Sequence, residues 1–271
     1  MAESRGVIGI FDSGVGGLTV FKAISERLPG ESMIYLGDTA RVPYGTKSAN
    51  TVVRYARACA RVLLKANLKL LVVACNTASA YALDVLRDEV DAPVLGVIEP
   101  GARAAAEASA EGRIGVIGTA AAIGSGAYQD AIRELAPGAE VHVQACPLFV
   151  PLAEEGWTEG PVPEQVAERY LRPLKDARVD TLVLGCTHYP LLTAVIRSAM
   201  GPEVRLVDSA GATAAAVAET LGALGAEDAA GDSDGKAPVH RFLVTDGAPG
   251  FAGVGACFLG SPLNNVECVD I

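Results

Sequence analysis

Leu71-Val-Val-Ala-Cys-Asn-Thr77 and, 111 positions later, Leu182-Val-Leu-Gly-Cys-Thr-His188 are the stretches whose reading decides the fold. Each is a short apolar run without polar alternation that ends in a cysteine followed by polar residues. Such runs suit strands buried on both faces, as in a mostly parallel sheet covered by helices. A second pair, Ile8-Gly-Ile-Phe-Asp-Ser13 and Ile114-Gly-Val-Ile-Gly-Thr119, lies 106 positions apart. Two matches at nearly one offset point to two similar half-molecules. Both place polar residues at the carboxyl tips of strands, where open α/β sheets bind ligands.

Outward from these stretches, strand-like runs fall at 7–11, 33–36, 70–74, 94–97, 114–117, 141–145, 181–184, 204–207 and 241–244. Helix-period segments lie between them, for example at 18–27, 49–66, 81–88, 164–175 and 192–200. The expected class is α/β, with two similar doubly wound domains related by a pseudo-twofold and a cleft between them as the site. The first domain should comprise residues 1–98 plus 209–271, and the second 99–208. Residues 222–239, rich in Ala, Gly and Asp, read as a flexible surface loop before the last strand.

Although half of the 271 residues are hydrophobic, no run approaches the ~20 apolar residues that a membrane span needs. The N-terminus has no signal-peptide pattern, so a cytoplasmic location is expected. The formal charge of −10 comes without any basic cluster, which argues against a nucleic-acid partner. Six cysteines occur without C-x-x-C or zinc-finger spacing, so they are buried hydrophobes, reactive thiols, or some of each.

Cys75 and Cys186 stand apart, at equivalent strand tips and before segments that suit a helix start. A thiol at a helix N-terminus should have its pKa lowered into the range of about 3.5–7.5. Two such thiols across a cleft suit inversion at a carbon bearing hydrogen, because one removes a proton from one face while the other returns one to the opposite face. Cys59, Cys146, Cys257 and Cys268 lack this setting and read as structural. The glycine-rich turn Phe11-Asp-Ser-Gly-Val-Gly-Gly-Leu-Thr19 fits no nucleotide motif, but its amides suit a carboxylate or phosphate. Asp12 offers a carboxylate for an ammonium group or a thiol's proton, or a cap for the following helix, and Ser13 offers a hydroxyl. His188, next to Thr187, suits a proton-tuning role beside Cys186. His142 and His240 carry no functional signal, and Trp157 has no assignable role.

The sequence resembles the glutamate racemases of bacterial cell-wall synthesis. The resemblance rests on FDSGVGGLTV (11–20), DTARVPYG (38–45), ACNTASA (74–80), GVIEPGARAA (96–105), CPLFVPLAEEG (146–156) and LGCTHYPLL (184–192), in the family's order. It implies that Cys75 exchanges the α-proton of D-glutamate and Cys186 that of L-glutamate, assisted by Asp12 and His188, with Glu154 in a secondary part. It implies substrate contacts from Asp12, Ser13, Pro43, Tyr44, Gly45, Asn76, Thr77, Thr119, Thr187 and His188. It further implies no pyridoxal phosphate or other cofactor, no metal, a homodimer, and D-glutamate supplied to peptidoglycan. Two departures stand out: Ala122 replaces a threonine found in many members, and only six residues precede the first strand. The first puts one polar contact in doubt, and the second leads us to expect no activation by a cell-wall precursor. Aspartate racemisation is the nearest alternative, because one methylene discriminates by only about 1–3 kcal/mol. A non-catalytic carboxylate- or phosphate-binding protein is the alternative of another class.

Overall fold

The computed structural model describes residues 6–226 and 237–271. In chain order it opens with β1 (Val7–Asp12), α1 (Leu18–Arg27), β2 (Met33–Gly37), α2 (Ala49–Leu63), β3 (Leu68–Val73), α3 (Asn76–Glu89) and β4 (Val94–Gly96). The middle comprises α4 (Ile98–Ala108), β5 (Arg113–Gly118), α5 (Ala120–Gly124), α6 (Ala127–Leu135), β6 (Glu140–Ala145), α7 (Phe149–Glu154), α8 (Pro161–Asp176), β7 (Thr181–Gly185), α9 (Thr193–Met200) and β8 (Arg205–Asp208). The chain closes with α10 (Ser209–Leu224), β9 (His240–Val244), α11 (Ala248–Leu259) and β10 (Val266–Cys268).

These strands form two sheets, ordered β10-β9-β2-β1-β3-β4 and β6-β5-β7-β8. The core order of the first, β2-β1-β3-β4, is repeated strand for strand in the second. Thus β1 corresponds to β5 and β3 to β7, the relationship the repeated sequence segments imply. Among the described residues every ladder is parallel, for example Ile10 opposite Val72 and Val116 opposite Val183. Helices cover both faces, which is why the central strands lack polar alternation: Ile8 and Ile10 face one hydrophobic cluster while Phe11, Leu71 and Val73 face another.

In a sheet of order 2-1-3, the chain leaves β1 and β3 toward opposite faces, and a crevice opens between their carboxyl ends. The crevice of the first sheet is bordered by Asp12 and Cys75, and that of the second by Thr119 and Cys186. Helix α10 returns the chain to the first sheet: Ala214, Val217 and Leu221 are buried in one cluster with Leu18 and Ile24 of α1. Burying a side chain such as Leu221 fully is worth about 1.5–3 kcal/mol.

Three local expectations need correction. Helix α3 extends back beyond the 81–88 pattern to Asn76, the helix start expected after Cys75, because the chain turns directly from β3 with Cys75 as its N-cap. The loop expected from residue 222 begins later: α10 continues to Leu224 and ends at Gly225, whose φ of 62° favours glycine. Residues 227–236 of that expected loop lie outside the described residues. Strand β10 follows the run expected to be the last; three residues long and partly exposed, it has no apolar run to announce it.

Candidate active site

Cys75 occupies the turn between β3 and α3 with extended backbone torsions (φ −71°, ψ 121°). The amide of Ala78, in the first helical turn, donates to its sulfur at 3.4 Å, and the thiol lies 3.6 Å from Ser13 Oγ. The helix N-terminus does not lower this pKa as expected. Burial, together with the nearby Asp12 carboxylate, pushes the thiol up to about 12, against the Ala78 amide and the contact with Ser13. Only 6% of the residue is exposed, and the desolvation of a thiolate outweighs one long amide contact.

Asp12 ends β1 and is fully buried. Its Oδ2 accepts from the Gly14 amide at 2.8 Å, so it organises the glycine-rich turn and does not cap α1, whose N-cap Gly17 makes no side-chain cap bond. Burial raises this carboxyl above its ordinary value, while the His188 charge and the turn's amides pull it back. Its Oδ1 has no hydrogen-bond partner among the described residues. The glycines serve close approach. A Cβ at Gly16 would lie 2.3 Å from Thr187 Oγ1 and 2.5 Å from His188 Nδ1, and one at Gly17 would lie 2.5 Å from the Asp12 Cβ. The turn is therefore shaped to let the first unit meet the loop of the second thiol. Thr19 Oγ1 adds a bond across the same junction, donating to the Thr187 carbonyl at 3.3 Å.

Cys186 directly follows β7 and is also 6% exposed. It does not begin an α-helix: the chain passes through a 3₁₀ turn, Tyr189–Leu192, before α9 starts at Thr193. Its helper is a side chain. His188 Nδ1 lies 3.8 Å from the sulfur, and Nε2 lies 2.9 Å from Glu154 Oε1 at the end of α7. Burial alone would push the imidazole down, but its bonds to Cys186 and Glu154 and the charge of Asp12 raise it to about 10. His188 therefore holds its proton more tightly than a free imidazole does. The ring of Phe258 meets it edge-on, centroids 5.3 Å apart, and a cavity lined by Gly14, Val15, Val42, Glu154 and Phe251 opens beside the glutamate.

The other candidate residues divide into those that converge and one whose side chain turns away. Thr77 Oγ1, past the end of β3, and Thr119 Oγ1, past the end of β5, are 2.9 Å apart. Thr119 also accepts from the amide of buried Ala122 at 3.2 Å. The Asn76 Nδ2 is buried without a partner among the described residues. Gly45 is pressed against Thr119, where a Cβ would come within 2.7 Å of the threonine Cβ. Tyr44 is buried, with its hydroxyl donating to Asp38 and facing Cys59, so only its main chain remains for a ligand. It follows Pro43, which is joined by a cis peptide bond to Val42. Cys59 and Cys146 are buried, whereas Cys257 and Cys268 are exposed. His142 lies on β6 and His240 on β9, and Trp157 is exposed.

Sequence reasoning left out Tyr35, Tyr128 and Phe258. Tyr35 donates to the Gly14 carbonyl at 2.8 Å and Tyr128 to Asn76 Oδ1 at 2.7 Å. Each is a lone aromatic with no motif around it, so nothing local separates it from an ordinary core residue.

Two buried thiols thus stand at matched strand tips, one beside a buried carboxyl and the other beside His188. The chemistry available is proton exchange with a small polar molecule held between them.

Over residues 8–217 the sequence matches the Asp/Glu/Hydantoin racemase family. It is similar to the glutamate racemase of Geobacter metallireducens, with 56% identity over 264 residues, 97% of this chain and 96% of that protein. The fold is similar to a crystal structure of a glutamate racemase from Bacillus anthracis, with a TM-score of 0.93, 41% identity and 98% of each chain covered. A glutamate racemase from Francisella tularensis, solved in complex with D-glutamate, gives a TM-score of 0.91 at 37% identity, again covering 98% of each chain.

Proposed function

The chain belongs to the Asp/Glu/hydantoin racemase family, and on that premise we propose that it interconverts L- and D-glutamate by moving the α-proton between two cysteines. The observation that carries the reading is the placement of Cys75 and Cys186 at corresponding tips of β3 and β7. Burial and Asp12 hold Cys75 as a thiol, while His188 binds its proton tightly beside Cys186. That resting state suits L-glutamate: the Cys186 sulfur takes the α-proton, and Cys75 delivers one to the opposite face. Running the steps in reverse converts D-glutamate.

Loss of the α-proton shifts charge onto the α-carboxylate, and fixed donors must meet that charge. The amides of the glycine-rich turn, Ser13, the Asn76 amide, and the hydroxyls of Thr77, Thr119 and Thr187 are the donors available here. Pro43, Tyr44 and Gly45 contribute through the main chain, since the Tyr44 hydroxyl is committed to Asp38. Asp12 serves the Cys75 side as a proton acceptor, while Glu154 acts through His188. The two sheets and the return of α10 support units of 1–98 plus 209–271 and 99–208, working as jaws of one site. Among the described residues no helix is long and apolar enough to cross a membrane. We place the enzyme in the cytoplasm as a homodimer, with D-glutamate passing to peptidoglycan.

Incubation of the enzyme with L-glutamate in D2O tests the reaction. D-Glutamate carrying deuterium at Cα is the expected product. Binding of glutamate without exchange would instead indicate a carrier, and faster turnover of aspartate would reassign the substrate.

A further inference from the structure

Asn76 follows the first thiol, and its side chain is 3% exposed. A carboxamide has two ends of nearly equal size but opposite polarity, and rotation by 180° exchanges donor for acceptor. In a site for an anionic substrate the orientation matters, because an NH2 group attracts a carboxylate and a C=O repels it. Tyr128 on α6 donates to Asn76 Oδ1 at 2.7 Å, leaving Nδ2 as the buried atom without a partner.

The phenol is itself fixed. Tyr128 is fully buried, and burial keeps it protonated far above neutral pH, so it remains a donor. Ser209, at the start of α10, acts on the phenol against burial without overcoming it. The ring has no room to swing. A Cβ at Gly185 would lie 3.0 Å from Tyr128 Cε2, and one at Gly101 would lie 3.3 Å from its hydroxyl. Tyr128 therefore rests against the residue before Cys186 while holding the residue after Cys75.

We propose that Tyr128 is a positioning residue: by donating to Asn76 Oδ1 across the junction of the two units, it fixes the amide so that its NH2 group faces the substrate carboxylate. The inference rests on the racemase reading, and it explains why a side chain of the second unit is bonded to a substrate donor of the first.

A double-mutant cycle on Tyr128→Phe and Asn76→Ala tests it, with KM and kcat measured for both enantiomers. Tyr128→Phe should raise KM about tenfold, the scale of one buried hydrogen bond, with a smaller change in kcat. In the Asn76→Ala background the same substitution should add nothing. A Tyr128→Phe enzyme with normal KM, or effects that multiply in the double variant, would overturn the proposal. A merely structural role would lower the melting temperature and leave KM unchanged. If Asn76→Ala leaves KM unchanged, the substrate role of Asn76 fails instead, and the proposal with it. Should Tyr128→Phe not fold, Gly101→Ala, whose Cβ would press on the phenol oxygen from 3.3 Å, should raise KM in the same direction, and an unchanged KM would count against the proposal.

Discussion

Glu154 Oε1 meets His188 Nε2 at 2.9 Å, which leaves Nδ1 of the same ring to face the Cys186 sulfur at 3.8 Å. A carboxylate behind an imidazole fixes the ring's orientation and strengthens its hold on a proton beside the thiol at its other edge.

Glu154→Gln keeps the shape of that contact and removes its charge. His188 should then bind its proton less tightly than the value of about 10 it holds in the intact site. The alkaline limb of the pH–rate profile for L-glutamate should move to lower pH, with about a tenfold loss of kcat/KM at pH 8. Polarimetric or circular-dichroism assays across pH 6–10 would show this, and a superimposable profile would exclude the coupling.

The same proton affects stability. The folded value of about 10 lies above the ordinary 6.5, so the folded state binds the proton more tightly. The stabilisation is fully present below about pH 6.5 and is lost as pH rises through about 10. Urea unfolding of the wild type and His188→Asn should therefore differ most in mildly acidic solution and converge at alkaline pH. A difference that widens with pH would reverse the assignment.

Gly16→Ala places a methyl group 2.3 Å from Thr187 Oγ1 and 2.5 Å from His188 Nδ1. Overpacking of this kind costs about 1–3 kcal/mol, and here the atoms forced to move belong to the catalytic loop. The variant should fold, with kcat reduced about 10–100-fold. Steady-state assays beside a thermal melt separate the two effects; full activity would mean that the loops are not in contact in the working enzyme.

Cys75→Ala and Cys186→Ala should each lower racemisation by at least about a thousandfold, because neither face can be served from the other side. Circular dichroism should show an intact fold, since each replacement removes one small buried atom. Near-normal turnover in either variant would end the two-thiol account.

Much of this arrangement was legible in the sequence because it is built from strand tips. The repeated runs ending at Cys75 and Cys186 gave both the matching sheets and the pair of thiols. The setting of each thiol was less accessible. The helix dipole argument holds for an exposed Cys75, but at 6% exposure beside Asp12 desolvation wins. Glu154 and His188 lie 34 positions apart and meet only because α7 packs over the 3₁₀ turn after Cys186. The glycines at 16 and 17 looked like an anion-binding turn, and only the fold reveals which side chains approach them.

The isotope content at Cα after a single turnover tests the two-thiol mechanism most directly. L-Glutamate mixed with excess enzyme in D2O should give D-glutamate fully deuterated at Cα, because the returning proton comes from a thiol that has exchanged with solvent. The remaining L-glutamate should stay protiated. Product that keeps the substrate's own hydrogen would show one base serving both faces and would contradict the account.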